Sequence, residues 1–599
     1  MADTKVPKDY YEKGSTQVTE VSAVTLKKLA QRRNLTGSSE RLVLVLVGLP
    51  GRGKSFIARK LQSFLTWRGN ECKVFNVGKY RRQVQKEAEL AEAEEANDLR
   101  QKVGACDADF FDSKNPKAQQ MRQRSAELAM KDMLAWLDYE KPIEETMKGL
   151  TTVEQIAAKA SIVSSRIAIF DATNSTVERR KWVLEEATSP EKRAGKKTGC
   201  VFVESICDDE ELLEENFAFK VKNSPDFANM TQEEAIADLR KRVRKYEEAY
   251  ETIDDDTQSY IKIFNLSSKL LVNHIYGRMA KVIVPCLMSW NIGARPIYLI
   301  RAGETIGSAH EEDPTKPRKI TRGDKLGPRG KHFREALEKF MTEEGEGFSK
   351  KSEDALRMAF APRHGRETGT SISGLADYEI SDAENADLKV PFNIHIMSST
   401  MPRAVETASW QSLPFNIDEL PNLNPLDKGD YSGMELEEVK DVDPEWYSML
   451  EKDPFATRFP GGECYADLIH RLETCIIDME QQVNMTCVVS HVSTLQVLMA
   501  YFRRTPIKEC TSIEVPMHTV IKYTPVTGGG WTESMHKVCN PEELDTTNHN
   551  VVLVQTQQVN TPIWGDHLKS ANNSPGSSPH GSVRNVIGAC LSGTFDSTN

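Results

Sequence analysis

Clustered cysteines, long apolar runs and an apolar leader are all missing from this sequence. Its eleven cysteines are scattered over 599 residues without a C-x-x-C pair or a metal-ligand spacing, which is typical of reduced thiols in the cytoplasm. The most apolar run, residues 282–288, is far shorter than the ~20 residues that cross a membrane. The first residues, MADTKVPKDYYEKG, contain no apolar signal core. We therefore expect a cytoplasmic protein without a membrane partner.

An excess of positive charge is also missing. Lys and Arg number 77 and Asp and Glu number 88, so the net charge is −11, and this balance argues against a nucleic-acid partner. Any anion-binding site must then be a local basic pocket. The hydrophobic fraction of 39% and the charged fraction of 28% are ordinary for a globular protein with a real core.

The length and the composition predict two domains between two polar tails. Residues 1–40 are polar and patternless, and residues 548–599 have the Ser/Asn/Gly/Pro bias of a disordered tail. The stretch SWNIGARP separates a first domain at 41–290 from a second at 295–535, which carries a surface insertion near 345–390. Both domains alternate short β-rich apolar runs with amphipathic charged stretches. This pattern predicts two α/β domains, each built on a mainly parallel sheet.

The strongest motif opens the first domain. The apolar run Leu42–Val47 leads into GLPGRGKS and then into a helical pattern, which is the strand–loop–helix context of a phosphate-binding loop. Its glycines let backbone N–H groups surround the phosphates of a nucleotide. Lys54 would contact the β- and γ-phosphates, and Ser55 would hold Mg²⁺. The motif therefore predicts an ATP-binding kinase domain.

An acidic residue at a strand end fits the same site. The run at 167–170 delivers Asp171 to the carboxyl edge of the predicted sheet, where its carboxylate would coordinate Mg²⁺ directly or through water. An apolar run followed by Asp is by itself more often structural. Together with the phosphate-binding loop, it predicts a metal-binding carboxylate.

Two basic clusters lie at the same predicted edge. Thr173, Arg179 and Arg180 follow Asp171, and the stretch FNVGKYRRQ at 75–83 supplies Lys79, Arg81 and Arg82 after another strand. Ligands of open α/β sheets bind at such strand ends, although a solvated helix start explains Arg82 equally well. The pattern predicts a kinase that binds ATP and a second anion, a sugar phosphate.

These motifs resemble those of the 6-phosphofructo-2-kinase/fructose-2,6-bisphosphatase family. VGLPGRGKS, VFNVGKYRR, FDATNSTVERR, VESICDDE and NSPDF occur in the family's order, followed by IYLIRAGE, RGDKLGPRGKHF, SSTMPRAVETA, RFPGGECYADLIHRLE and SHVSTLQVLMAYF. The resemblance covers roughly residues 41–530. It implies a P-loop kinase domain, followed by a domain with the histidine-phosphatase (phosphoglycerate-mutase-like) fold. The implied reaction is the phosphorylation of fructose 6-phosphate at O2 by ATP with Mg²⁺, which gives fructose 2,6-bisphosphate, a regulator of glycolysis. A homodimer is compatible with this interpretation.

The resemblance also implies which residues form the kinase site. The nucleotide side would comprise Gly48, Gly51, Arg52, Gly53, Lys54, Ser55 and Asn216. The sugar-phosphate side would comprise Arg81, Arg122, Thr173, Arg179, Arg242 and Tyr246.

One position of the kinase site departs from the family pattern. The family places a lysine before SPD that bridges the transferring phosphate, and ungapped matching puts Val221 there. Lys220 and Lys222 flank this position, and either could take the role beside Lys54 and Asp171.

The second domain departs from the family pattern at its reactive groups. The phosphate-binding residues Arg301 and Arg403 and the second histidine, His491, are present. The nucleophilic histidine is replaced by Ala302, and the proton-donating glutamate by Pro425. The resemblance thus implies a phosphatase scaffold without bisphosphatase activity.

Three other interpretations stay open. The chain could be a non-catalytic sensor of sugar phosphates, although the intact GKS motif and Asp171 disfavour this. It could keep residual bisphosphatase activity and act as a bifunctional enzyme. A P-loop polynucleotide kinase would need a basic groove with interleaved aromatic residues, which the acidic balance disfavours.

Overall fold

The structure is a computed structural model, and it describes residues 41–96, 108–111, 115–139, 166–266, 269–276, 278–290, 295–305, 323–360, 393–411, 416–526, 528–539 and 554–559. The chain divides into two compact units, one of residues 1–292 with 527–530 and one of residues 293–526 with 531–599. The predicted N-terminal tail, residues 1–40, lies outside the described residues.

The first unit is built from strands that alternate with helices. In chain order its elements are β1 (Arg41–Val47), α1 (Lys54–Trp67), β2 (Glu71–Asn76), α2 (Val77–Ala96), a 3₁₀ helix (Ala108–Phe111), α3 (Pro116–Asp138), β3 (Arg166–Asp171), α4 (Val177–Thr188), β4 (Gly199–Ile206), α5 (Glu210–Asn223), a 3₁₀ helix (Pro225–Phe227), α6 (Gln232–Glu247), β5 (Tyr260–Phe264), β6 (Lys269–Asn273) and α7 (Arg278–Ser289).

The sheet of this unit has the strand order β2-β3-β1-β4-β5-β6. Strands β1 to β5 run parallel, and β6 pairs antiparallel with β5. The central strand β1 reads RLVLVLV, and all its residues except the first are buried, as expected for a parallel strand covered on both faces. The core on one side joins residues of β1, β3 and β4 to α3, among them Val45, Phe170, Phe202 and Met133.

The register of these strands brings their carboxyl ends to one edge. Val45 is paired with Phe170, and Asn76 with Asp171. The loop after β1 therefore lies at the same edge as the ends of β2 and β3. Ligands of open parallel sheets bind at this edge.

The second unit has its own mixed sheet. Its elements are β7 (Ile297–Arg301), α8 (Pro328–Phe360), β8 (Ile394–Ser398), α9 (Pro402–Ala408), β9 (Ile417–Glu419), 3₁₀ helices at Pro421–Leu423 and Gly429–Tyr431, α10 (Leu436–Val442), α11 (Pro444–Lys452), α12 (Tyr465–Gln481), β10 (Met485–Ser490), α13 (Val492–Arg503), a 3₁₀ helix at Ile507–Ser512, β11 (Thr519–Val526), β12 (Gly530–Lys537) and β13 (Val554–Val559).

Its strand order is β13-β12-β11-β7-β10-β8-β9. Strands β7, β10, β8 and β9 are parallel, whereas β11 is antiparallel to β7 and β13 to β12. The core beneath this sheet includes Tyr298, Phe333, Trp410 and Val489. The α/β class predicted for both domains, with mainly parallel sheets, is confirmed.

Two details of the predicted domain plan need correction. Helix α8 continues through residues 345–360, so the predicted insertion begins inside a regular helix; Phe348 packs on the core, and Glu344 accepts a hydrogen bond from Tyr298 at 2.7 Å. Strand β13 lies within the predicted disordered tail and pairs with β12. Composition indicated disorder there, but it cannot reveal a free strand edge. Residues 361–390 of the predicted insertion lie outside the described residues.

Within the described part of the chain, no helix combines the length and the apolar character that a membrane crossing requires.

Candidate active site

The loop after β1 has the backbone geometry of a phosphate cradle. Gly48 has a φ of 138°, and a Cβ atom there would lie 2.5 Å from the carbonyl oxygen of Ser205. Gly53, which precedes α1, has a φ of 80°. Both conformations favour glycine. The Gly48 N–H donates to the carbonyl of Thr173 at 3.0 Å, so the loop is tied to the segment that follows β3.

Lys54, the first residue of α1, is buried beside this loop. Its Nζ donates to the carbonyl of Leu49 at 2.7 Å. Burial and the charge of Lys220 lower the pKa of Lys54 to about 7, although Asp171 opposes the shift. A lysine in such surroundings gains stabilisation when an anion binds next to it.

Asp171 ends β3 and is buried at the sheet edge. Its Oδ2 accepts hydrogen bonds from Ser55 Oγ at 3.1 Å and from Asn76 Nδ2 at 2.5 Å. The structure therefore brings Lys54, Ser55 and Asp171 together, as predicted from the sequence. Asn76 was missed; the signal for it is its place at the end of β2, level with Asp171.

Helix α5 separates the two candidate lysines. Val221 is buried in a cluster with Phe217, whereas Lys222 lies on the exposed face of the helix. Burial lowers the pKa of Lys220 to about 8; Asp171 and Asp226 oppose this shift, and nearby arginines add to it. Lys220 thus shares the electrostatic environment of Asp171.

Two residues on the predicted nucleotide side have a buried N–H donor that makes no hydrogen bond within the described residues. Asn216 Nδ2 is buried without a hydrogen-bond partner among the described residues, and so is Nη1 of Arg52. Burial lowers the pKa of Arg52, although Cys207 and Glu247 oppose the shift. Buried donors without partners are costly, which makes both residues suitable for binding a ligand.

A carboxylate joins two of the predicted sugar-phosphate arginines. Asp226 accepts from Arg81 Nη2 at 2.5 Å and lies 3.4 Å from Arg242 Nη1. Burial raises the pKa of Asp226, but the charges of Arg81, Arg82 and Arg242 outweigh it and hold the pKa below its usual value. The ring of Phe111 lies under both guanidiniums, 5.2 Å from Cζ of Arg81 and 4.8 Å from Cζ of Arg242.

Other predicted residues lie around Phe110 and Phe111, next to this cluster. Tyr246 packs its ring 5.7 Å from that of Phe111, and Arg122 donates to the carbonyl of Phe110. Burial lowers the pKa of Arg179. Tyr246 opposes this shift, and the charge of Arg122 adds to it. The sequence motifs indicated the arginines, but they gave no sign that Asp226 and Phe111 would hold them.

Two residues of the basic stretches found in the sequence, Arg180 and Lys79, do not join the arginines around Asp226 and Phe111. Arg180 is buried and donates to the carbonyls of Asn174, Glu251 and Thr252 at 3.2, 2.8 and 3.3 Å. Its role is to fix a loop, so the prediction that it binds an anion is wrong. Lys79 is exposed.

The second unit forms a separate cationic site at the ends of β7 and β10. Burial lowers the pKa of Arg301 to about 10, an effect that Arg403 increases. Burial and the charges of Arg403, Arg301 and Arg471 hold the pKa of His491 well below its ordinary value. The Nε2 of His491 is 2.9 Å from Ser399 Oγ. His491 is therefore neutral at physiological pH and fixed in place.

The two positions at which the sequence predicts lost reactive groups, Ala302 and Pro425, lie in this unit as well. Ala302 is buried, and its N–H donates to the carbonyl of Ser490 at 2.8 Å. The carbonyl of Pro425 accepts from Arg471 Nη2 at 3.2 Å, and Arg471 also binds both oxygens of Glu463. Neither Ala302 nor Pro425 has a side chain that can attack phosphorus or donate a proton.

Comparisons with known families match both units. The sequence model of the family 6-phosphofructo-2-kinase matches residues 31–142 and 144–294. The model of the histidine phosphatase superfamily (branch 1) matches residues 378–537.

Full-length relatives are similar over most of the chain. The 6-phosphofructo-2-kinase/fructose-2,6-bisphosphatase 3 of Rattus norvegicus is 30% identical over 86% of this chain and 75% of its own length. The corresponding enzyme of Aquarana catesbeiana is 30% identical, over 89% and 92%. A probable 6-phosphofructo-2-kinase of Schizosaccharomyces pombe is 28% identical, over 81% and 68%. Among solved structures, a putative alpha-ribazole-5'-P phosphatase from Escherichia coli aligns with 40% of this chain and 95% of its own, at 18% identity and a TM-score of 0.27.

Proposed function

Because the chain belongs to the 6-phosphofructo-2-kinase/fructose-2,6-bisphosphatase family, we propose that it transfers the γ-phosphoryl group of ATP to O2 of fructose 6-phosphate. The product is fructose 2,6-bisphosphate. The observation that carries the proposal is that Lys54, Asp171 and Lys220 share one electrostatic environment, to which the ion-paired cluster of Arg81, Arg242 and Asp226 also belongs. One edge of one sheet thus offers a nucleotide site and a sugar-phosphate site.

The transfer forms a bond between O2 of the sugar and the γ-phosphorus and breaks the bond from that phosphorus to the β,γ-bridging oxygen. ADP leaves, and the proton of the O2 hydroxyl is released to solvent. Such a reaction is governed by positioning and by neutralisation of charge. We assign Lys54 to the β- and γ-phosphates and Lys220 to the phosphoryl group in flight, because Lys220 is the one of the two candidate lysines that shares the environment of Asp171. Lys222, on the exposed face of α5, has no catalytic role in this scheme.

The donor set suits Mg²⁺. Ser55 Oγ and the carboxylate of Asp171 are oxygen donors 3.1 Å apart, and Mg²⁺ prefers one or two such protein ligands together with substrate phosphates. The described residues contain no group of three or more His, Cys, Asp or Glu side chains that could hold a metal ion. When bound, Mg²⁺ would neutralise charge on the β- and γ-phosphates.

The sugar phosphate would be held by arginines. Arg81, Arg242 and Arg179 supply guanidinium donors, and we assign Arg122, Thr173 and Tyr246 to the same ligand. Guanidinium–phosphate pairs are strong because several charge-assisted hydrogen bonds form at once. Asn216 and Arg52 are assigned to the nucleotide because their buried donors lack partners in the described part of the chain.

For the second unit we propose a phosphate-binding scaffold without bisphosphatase activity. Arg301 and Arg403 are kept beside His491, but Ala302 and Pro425 replace the two reactive groups. The loss of a covalent nucleophile costs up to ~10⁶ in rate, and the loss of the general acid a further ~10²–10⁴. Cytoplasmic location and a homodimer stay predictions.

A product assay tests the kinase proposal. The protein is incubated with ATP, Mg²⁺ and fructose 6-phosphate, and the product is split with mild acid, which releases a phosphate from the anomeric C2 but not from C1. An acid-labile bisphosphate is expected. An acid-stable product would assign a different hydroxyl, and binding without turnover would favour the non-catalytic sensor.

A further inference from the structure

We infer that Trp182 is a positioning residue, which holds the guanidinium of Arg179 so that its donors face the sugar phosphate. The inference rests on the proposed function, because it specifies how one arginine of that site is kept ready. Both residues lie on α4, three positions apart, and therefore on the same face of the helix.

The geometry is that of a cation stacked on an indole. The Cζ atom of Arg179 lies 5.0 Å from the ring centroid of Trp182. Trp182 is itself half-buried and packs against the core beneath the sheet, so the ring is a fixed platform. At the other end, the N–H of Arg179 donates to Oγ1 of the cap residue Thr176 at 3.2 Å. Backbone and side chain of Arg179 are both restrained.

One nitrogen of the Arg179 guanidinium is available to a ligand. Its Nη1 is buried and has no hydrogen-bond partner among the described residues. The neighbouring Arg180 differs, because it donates to three backbone carbonyls. A buried guanidinium N–H without a partner costs free energy, and an anion that accepts from it would remove this cost.

An aromatic platform suits this purpose better than a carboxylate. A carboxylate would occupy some of the N–H donors, as Asp226 does for Nη2 of Arg81. Stacking on an indole ring restrains the planar guanidinium while its N–H groups stay available. Trp182 therefore keeps Arg179 both immobile and able to bind phosphate.

The test compares Trp182→Leu with Trp182→Phe. We expect the leucine variant to raise the KM for fructose 6-phosphate about threefold to thirtyfold, the range that a cation–π contact spans. The phenylalanine variant keeps a ring and should stay within about threefold of the wild type. In both variants the KM for ATP and kcat should change little. An equal rise in both KM values, or no rise in a folded Trp182→Leu protein, would overturn the inference.

Trp136 provides the matched control. It also lies beneath an arginine, since Cζ of Arg166 is 5.7 Å from its ring centroid. Arg166, however, is paired with Glu71 at 2.6 Å, and it begins β3, at the end away from Asp171. Trp136→Leu should leave the ratio of the two KM values unchanged. A changed ratio in this control would show that loss of any stacked tryptophan has the effect.

A double-mutant cycle separates positioning from packing. If Trp182 acts through Arg179, Trp182→Leu should add nothing to the KM rise in an Arg179→Ala background; an additive effect would contradict the inference. Calorimetric titration with fructose 6-phosphate needs no turnover. If the wild type binds the sugar but forms no bisphosphate, the proposed function fails while the inference is still testable. Should Trp182→Leu not fold, the indole fluorescence of wild type and Trp182→Phe is titrated with the sugar, and identical responses would reject the inference.

Discussion

The hydroxyl of Ser55 lies 3.1 Å from Oδ2 of Asp171, although 116 positions separate the two residues in the sequence. The contact exists because β1 and β3 are adjacent parallel strands that end at the same edge of the sheet. It joins the phosphate-binding loop to the acidic strand end. The site built on this contact leads to three predictions, and a fourth concerns the second unit.

Replacement of the two lysines of α5 should have opposite outcomes. Lys220→Met is expected to lower kcat by at least ~10²-fold, since it removes a charge placed at the transferring group. Lys222→Met is the matched control and should retain kcat within about twofold, because exposed side chains outside a site contribute little. Steady-state kinetics with both substrates measure the difference. Loss of kcat in Lys222→Met, with normal turnover in Lys220→Met, would reverse the assignment.

Nucleotide binding should take up protons near neutral pH. In the free protein the pKa values of Lys54 and Lys220 are lowered to about 7 and about 8 by burial, so at pH 8 a large fraction of both is neutral. A bound triphosphate favours the charged forms and raises both pKa values. The affinity for ATP should therefore fall as the pH rises from 7 to 9. Calorimetry in buffers of different ionisation enthalpy measures the uptake, and it should shrink in Lys54→Met; no net uptake in the wild type would contradict the lowered pKa values.

Replacement of Arg179 should change substrate binding, whereas replacement of its neighbour Arg180 should change the stability of the protein. Arg179→Ala, like Arg81→Ala, is expected to raise the KM for fructose 6-phosphate at least ~10-fold, because a charge-assisted contact to phosphate is lost. Arg180→Ala should instead lower the free energy of unfolding by about 2–4 kcal/mol, since three carbonyls lose their donor. Kinetics and denaturant unfolding are measured on the same samples. Equal effects of Arg179→Ala on the KM for ATP and the KM for fructose 6-phosphate would contradict the assignment of this arginine to the sugar phosphate.

The second unit should show no hydrolysis of fructose 2,6-bisphosphate above background. Ala302→His alone should restore a trace at most, because a nucleophile without its acid faces a poor leaving group. Adding Pro425→Glu should raise the rate further, with a phosphohistidine at position 302 detectable after incubation with labelled substrate. Conversely, robust hydrolysis by the unmodified protein would show a bifunctional enzyme, and His491 would be the first residue to examine as its nucleophile.

The sequence was most informative where a motif carries its own geometry. The family resemblance, the α/β class of both domains and the kinase and histidine-phosphatase folds are confirmed. The P-loop was the most informative motif because the loop and its flanking strand and helix form one local unit. The choice between Lys220 and Lys222 needed the phase of α5, which a helix of low amphipathicity does not show in its sequence.

Partners that are distant in sequence could not be predicted. The sequence predicts an anion-binding role for Arg180 from its place after a strand end. This prediction fails because its acceptors are backbone carbonyls, which a sequence does not reveal. Asp226 and Phe111 come from two separate segments and meet Arg81 only in the folded unit. Strand β13 was missed because its pairing depends on the free edge of β12.

The central position of β1 has a consequence for the order in which the protein can fold during synthesis. Val45 is paired with Phe170 on one side and with Phe202 on the other, so β1 leaves the ribosome long before either partner. Until then, a strand of almost unbroken valine and leucine is exposed, and such unpaired apolar strands aggregate readily. Pairing over this distance is slow. The first unit should therefore depend on a chaperone that covers β1 while the ribosome completes β3 and β4, and translation of a chain truncated before β3 should yield an insoluble product.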